Sequence, residues 1–170
     1  MHTKLAAEIE AILAEGQDMT VATLLPDGAP HATTVSYASD GQRIYFGCSP
    51  SSRKADNLAR DDRVALTITL PYRDWSEIRG LSVMGRARRV ESGSAADAVA
   101  LLFAQKFSEI AQYVSGAGGD IALFEVTPST IAVLDYRRGF GHVTHTQPDA
   151  SPGLAPAGFV PGPPTEGGDV

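Results

Sequence analysis

Apolar residues first recur at helical spacing. Leu5, Ile9, Ile12 and Leu13 fall on one face and Gly16 follows, so the spacing predicts an amphipathic helix over 3–15. The period then shortens to two. "MTVATLL" (19–25), "HATTVSYA" (31–38) and "RIYFG" (43–47) read as short strands. They are separated by "PDGAP" and "SDGQ", whose Asp-Gly pairs mark tight turns, so the region is an antiparallel meander. A helix over 51–60 is expected next, with Ala55, Leu58 and Ala59 on its inner face. "VALTITL" (64–70) alternates Val64, Leu66, Ile68 and Leu70 with small polar residues, as a strand with one face in a core does. "LSVMGRARRV" (81–90) is a longer strand in which Gly85 suggests a bulge or a close approach.

Ser94 and Asp97 resemble a capping box. Val99, Leu102, Phe103 and Phe107 continue at helical spacing, predicting a helix over 95–108. "IALFEVTPSTIAVLDY" (121–136) reads as a strand, a Pro interruption and a second strand. About six strands with three interspersed helices make the chain mainly β. They suggest a closed or nearly closed antiparallel barrel with helices over its ends. The pattern stops near position 147. Residues 1–146 form the expected domain, and 147–170 are a Pro/Gly-rich tail without periodicity, expected to be flexible or laid across a partner.

Composition narrows the function. The chain has 170 residues, 43% hydrophobic and 20% charged, and a net charge of -6. That suits one soluble domain and disfavours non-specific nucleic-acid binding, because no basic field would draw a phosphate backbone. Cys48 is the single cysteine, so neither an internal disulfide nor a cysteine-based metal site is expected. Cys48 itself reads as a small buried hydrophobe. The N-terminus, "MHTKLAAEIEAILAEG", carries acids throughout and no long apolar run. It is expected to be neither a leader nor a membrane span, which makes a cytoplasmic location the expectation. No nucleophile elbow, dinucleotide-binding glycine motif or carboxylate pair suggests side-chain catalysis.

One stretch stands out against this acidic background. "SPSSRKADNLARDDRVALTI" (49–68) sets Arg53 and Lys54 directly after Ser51 and Ser52. With either serine as N-cap, the next backbone N–H groups point outward at the positive pole of the helix, where a phosphate fits. Arg53 would add a planar fork and Lys54 a point charge, and Lys54 and Asn57 are expected on one face. The competing explanation is a solvated helix start whose cations answer Asp61 and Asp62. Cations in a first turn oppose the helix dipole, however, and an anion there would explain them.

The strand "RIYFG", the segment "CSPSSRKADNLARDDRVALTI" and the strand "IRGLSVMGRARRV", in this order, resemble the pyridoxamine 5'-phosphate oxidase-like family of FMN-binding split β-barrels. So does "VATLLPDGAPHATTVSYASDGQRIYFG" upstream; the resemblance runs over about residues 15–136. It implies a homodimer with FMN at the interface and the phosphate held by Arg53 and Lys54. It also implies the flavin ring along Ala32, Thr33, Thr34, Val35 and Ser36, with Cys48 and Ser49 near the ribityl phosphate. Read by themselves, Thr33, Thr34 and Ser36 suit flavin polar atoms or reflect ordinary strand propensity.

Pyridoxamine-oxidising members carry a basic residue where this chain has Ala32 and Gln where it has Gly80. They also carry a C-terminal substrate-binding Arg and His that have no match here. Oxidation of pyridoxamine phosphate is therefore not expected. The implied function is an oxidoreductase passing hydride or electrons between a nicotinamide and a small acceptor. The alternatives are an 8-hydroxy-deazaflavin in place of FMN, or a non-enzymatic flavin- or haem-binding protein. Trp75 is expected to be a buried structural residue, the other possibility being a ring near the flavin or the dimer seam. His142 and His145, an H-x-x-H in an expected loop, are weak candidates for metal or haem, and His142 for the flavin edge of a partner subunit.

Overall fold

The computed structural model describes residues 2–110 and 120–148. Helix α1 (His2–Glu15) leads into β1 (Asp18–Leu24), β2 (Pro30–Asp40) and β3 (Arg43–Cys48). Helix α2 (Arg53–Arg60) follows, then β4 (Arg63–Thr69), β5 (Arg79–Arg89), α3 (Ser94–Lys106), β6 (Ala122–Asp135) and β7 (Val143–Thr146). Two 3-10 turns, Trp75–Glu77 and Tyr136–Arg138, sit at the ends of β4 and β6. The sheet order is β3-β2-β1-β4-β5-β6-β7, and β3 also pairs with β6. That last pairing closes six antiparallel strands into a barrel, so the expected fold is the observed one. Most of the expected 147–170 tail lies outside the described residues.

The two-residue period decides the interior. Met19 and Val21 of β1, Leu66 and Ile68 of β4, Leu81 and Val83 of β5, and Phe124, Val126, Ile131 and Val133 of β6 form one buried cluster. Leu13, Ile9 and Ile12 of α1 belong to the same cluster and stop one end of the barrel. Helix α3 lies outside, where Val99 and Phe103 pack on Ala38 and Tyr45.

Three expectations need correction. Pro128 does not split the last long strand, because β6 is continuous and its register shifts opposite Met84 and Gly85. A residue lacking an N–H is tolerated at such an irregularity. Gly85 is required there, since a Cβ on it would lie 2.4 Å from the Thr127 carbonyl oxygen. Ser94 is not a cap, because it is already helical; Gly93, at φ 106°, takes that place without a side-chain bond. The region of His142 and His145 is not all loop, because β7 pairs with β6 from Ile131 to Leu134.

The ends of two helices and β2 meet at one carbonyl. Tyr37 Oη and Lys106 Nζ both donate to the Leu13 oxygen, at 2.9 and 3.0 Å. The ammonium also sits 3.7 Å over the Tyr37 ring. Desolvation lowers the Lys106 pKa to about 8, against a smaller upward pull from Asp18. Between that value and the ordinary lysine range the unfolded chain binds the extra proton. Stability should therefore rise as pH climbs from about 8 toward 10, above which the raised pKa of buried Tyr37 reverses the slope. Thermal unfolding of the wild type and of Lys106→Met across that window measures the effect, and the rise should vanish in the variant.

Candidate functional site

The barrel is split where β2 changes partner. On one edge β2 pairs with β1 from Pro30 to Ser36. On the other edge it meets β3 only from Tyr37 to Asp40. Among the described residues, the edge of β2 from Pro30 to Ser36 therefore has no strand neighbour on the β3 side. Beyond Phe46, Gly47 and Cys48 stay with β6 and lead the chain into the start of α2. The split thus opens between the first half of β2 and the segment that carries Ser49 to Lys54.

A buried polar chain holds α2 against this opening. Asn57 Nδ2 donates to Thr23 Oγ1 at 2.9 Å, and Thr23 Oγ1 donates to the His31 carbonyl at 3.4 Å. Arg60 closes the arrangement by donating to Asn57 Oδ1 and to the Leu24 carbonyl, both at 3.1 Å. Asn57 is 1% exposed. The expectation that Lys54 and Asn57 face away from Ala55 and Leu58 needs correction for Asn57, which is buried beside both, and the expected inner position of Ala59 is exposed. Asn57 positions the helix instead of facing its open side.

The helix start matches the capping logic. Ser52 is the N-cap and accepts from the Ala55 N–H at 3.4 Å. Ser49 Oγ lies 2.9 Å from Ser51 Oγ and accepts from the Ser51 N–H. The N–H groups of Arg53 and Lys54 open the helix and have no acceptor within it. Neither Arg53 nor Lys54 has an ion-pair partner among the described residues.

The acids that could have neutralised them are engaged elsewhere. Asp61 is gripped by Arg63 at 2.6 Å, and those hydrogen bonds hold its carboxyl down to about 2. Asp62 is bonded by Arg86, with Arg88 at 3.9 Å. Asp61 and Asp62 therefore do not answer the basic pair.

The strand beside the opening presents two faces. Ala32, Thr34 and Ser36 are exposed, whereas His31, Thr33 and Val35 are half-buried on the other side. Ser36 Oγ donates to Asp18 at 2.7 Å. Thr33 Oγ1 and His31 Nδ1 are buried without a hydrogen-bond partner among the described residues. Such orphaned atoms beside an open strand edge fit a ligand with polar ring atoms. The side chains from Ala32 to Ser36 thus do not act as one surface; what they share is the open backbone edge. Cys48 is half-buried against the core, as expected of a small hydrophobe.

The other candidates fall elsewhere. Trp75 is not buried: it is 64% exposed and stacks on Phe140. No group of three or more potential metal ligands forms among the described residues. Gly80 lies so close to β4 that a Cβ would be 2.4 Å from the Ile68 oxygen, which leaves no room for a side chain. A groove of about 1180 Å³ runs over the outer face past Ala22, Ala65, Met84, Arg86 and Arg43. It contains none of the residues from Ala32 to Asn57 singled out by sequence. No helix among the described residues is long and apolar enough to cross a membrane.

Known proteins match this arrangement. The family model for pyridoxamine 5'-phosphate oxidase matches residues 5–135. A pyridoxine/pyridoxamine 5'-phosphate oxidase from Kineococcus radiotolerans is 39% identical over 83 residues, 48% of this chain and 35% of that protein. A haem-binding protein from Mycobacterium smegmatis superposes with a TM-score of 0.71 at 24% identity, over 84% of this chain and 57% of that one. A conserved hypothetical protein from Mycobacterium tuberculosis does so with 0.69 at 26% identity, over 81% and 89%.

Replacing Asn57 by Ala should strand Thr23 without its donor in the interior. The expected loss is about 1–3 kcal/mol of folding stability, read by denaturant unfolding.

Proposed function

The chain belongs to the pyridoxamine 5'-phosphate oxidase family, and from the start of its α2 we propose that it is an FMN-binding flavoprotein. It acts as an oxidoreductase between a nicotinamide and a small-molecule acceptor. The observation that carries this is Arg53 and Lys54 at a capped helix start without an ion-pair partner among the described residues, with Asp61 and Asp62 already bound by other arginines. Two free cations and two outward N–H groups are a cost to the free protein and a gain once a phosphate arrives. Ser49 and Ser51 supply hydroxyls at the same turn. The open edge of β2 and the orphaned Thr33 Oγ1 would meet the polar atoms of the flavin ring. A bound flavin supplies hydride and single-electron chemistry, and the protein contributes position and electrostatics.

Pyridoxamine phosphate is not the proposed substrate. Ala32 provides no cation at the start of β2, and Gly80 has no room for the glutamine of the pyridoxamine-oxidising pattern. The C-terminal segment in which a substrate-binding Arg and His would be sought lies outside the described residues.

A homodimer belongs to the same proposal. Thr20, Ala65, Thr67, Thr69 and Ser82 form an exposed outward face of short side chains on β1, β4 and β5, with Met84 as its one large apolar residue. Such a face suits a self-complementary two-fold contact. Met84→Glu should shift the protein toward monomer in sedimentation velocity, while a dimer unaffected by that charge would place the contact elsewhere.

Visible absorption after FMN loading and desalting tests the cofactor. Flavin bands retained at one per chain support it. A haem-type band in the purified protein, or retention of 8-hydroxy-deazaflavin in place of FMN, would replace it. Lys54→Ala should weaken FMN binding by about 1.5–3 kcal/mol, the range for a hydrogen bond to a charged group. Unchanged affinity in a titration would show the grip to be misplaced.

A further inference from the structure

Two exposed rings lie at the barrel end away from α2. Trp75 and Phe140 are stacked with centroids 5.8 Å apart and planes 8° apart, and Tyr136 leans on Phe140 at 5.5 Å. Trp75 is 64% exposed and Phe140 78%. Each ring comes from a different loop, yet both loops are fixed. Asp74 caps the Trp75–Glu77 turn by accepting from the Ser76 N–H and hydroxyl, at 2.9 and 2.6 Å. Glu77 accepts from the Arg73 N–H at 3.0 Å. The Tyr136 N–H donates to the Ile78 carbonyl at 2.9 Å and ties the two loops together. Gly139 and Gly141, at φ 134° and 74°, give the tight turn that lifts Phe140 outward.

A rigid pair of parallel rings in water is a flat surface. It matches another planar ring better than an alkyl chain. Its charge setting adds a sign. Asp74 and Glu77 flank Trp75 in sequence on the same turn. Hydrogen bonds from Ser76 lower the Asp74 pKa and keep its carboxylate charged. On the facing turn, Arg137 and Arg138 are occupied by Asp135 and Glu8. Arg73, whose guanidinium has no ion-pair partner among the described residues, is the opposing charge on the Trp75 side. Indole is the best aromatic face for a cation.

We propose that the Trp75–Phe140 pair is a docking platform for a planar pyridinium cation, the oxidised nicotinamide type of ring. The assignment rests on the nicotinamide-dependent function proposed above only for its choice of ligand, and concerns docking of the ring and not the hydride step. The platform lies at the Asp135 end of β6, whereas the α2 start adjoins the Ala122 end. Within one chain the ring site and the phosphate grip are therefore separate.

Trp75 is the chain's single tryptophan, so its fluorescence reports on this spot alone. The full-length protein is titrated with N1-methylnicotinamide, a pyridinium without phosphate, and in parallel with neutral nicotinamide. Saturable quenching, stronger for the cation, is expected. Phe140→Ala keeps the reporter and, at an exposed position, keeps the fold; it should weaken the apparent affinity roughly two- to tenfold. Asp74→Asn with Glu77→Gln should remove the preference for the cation over the neutral ring. Quenching that rises linearly, as for free tryptophan, or that ignores Phe140→Ala, overturns the platform. FMN retention, read by absorption on the same preparation, fails or holds independently. Retained flavin with linear quenching sinks the platform alone, and saturable quenching without retained flavin sinks the flavin reading alone.

Discussion

The candidate site depends on a change of partner along one strand. β2 is eleven residues long, but β3 covers only its last four positions. Hydrogen bonds to β1 hold the first half in extended form, so that half stays straight with one edge bare. A bare edge is normally a liability for aggregation. Here the chain leaving β3 turns into α2 beside it, and the bare edge becomes one wall of an opening. The start of α2, with Arg53 and Lys54, forms the other wall.

That geometry needs α2 held in place, and its eight residues cannot do so by burying apolar area alone. Ala55 and Leu58 are its buried apolar residues. The buried Asn57 side chain adds a directional contact to Thr23, and through it to the β2 backbone. A buried amide is expensive when unpaired, so α2 is stable in a narrow range of positions. The ion pairs of Asp61 and Asp62 with Arg63 and Arg86 act on the same segment from the other side. They satisfy the acids and leave Arg53 and Lys54 without an ion-pair partner among the described residues.

The split-barrel architecture is shared with a protein described as haem-binding. Fold and family therefore define where a planar cofactor could lie, and the chemistry is carried by the residues around that place. In this chain those residues are short, polar and cationic on the α2 side. They are aromatic and acid-flanked at the far rim.

Much of the fold was legible because alternation and helical spacing are local properties of neighbouring residues. The strands around Val21, Leu66, Val83 and Phe124, and the three helices, follow from them. Gly85 announced its irregularity for the same reason. Pro128 was misjudged because a proline breaks a strand unless the partner's register shifts opposite it, and that shift belongs to the pairing with β5. Trp75 was judged by hydrophobicity alone, while its exposure follows from the loop of Phe140, far away in the chain. Asn57 was placed by helical periodicity without knowledge of which neighbour the helix would rest on. By itself the sequence determined the periods, the Ser52 cap and the basic pair after it. The tertiary structure decided which acids meet which arginines, which edge of β2 stays bare and which rings stack in solvent. Those outcomes are set by contacts between residues distant in sequence, whose energies no local pattern contains.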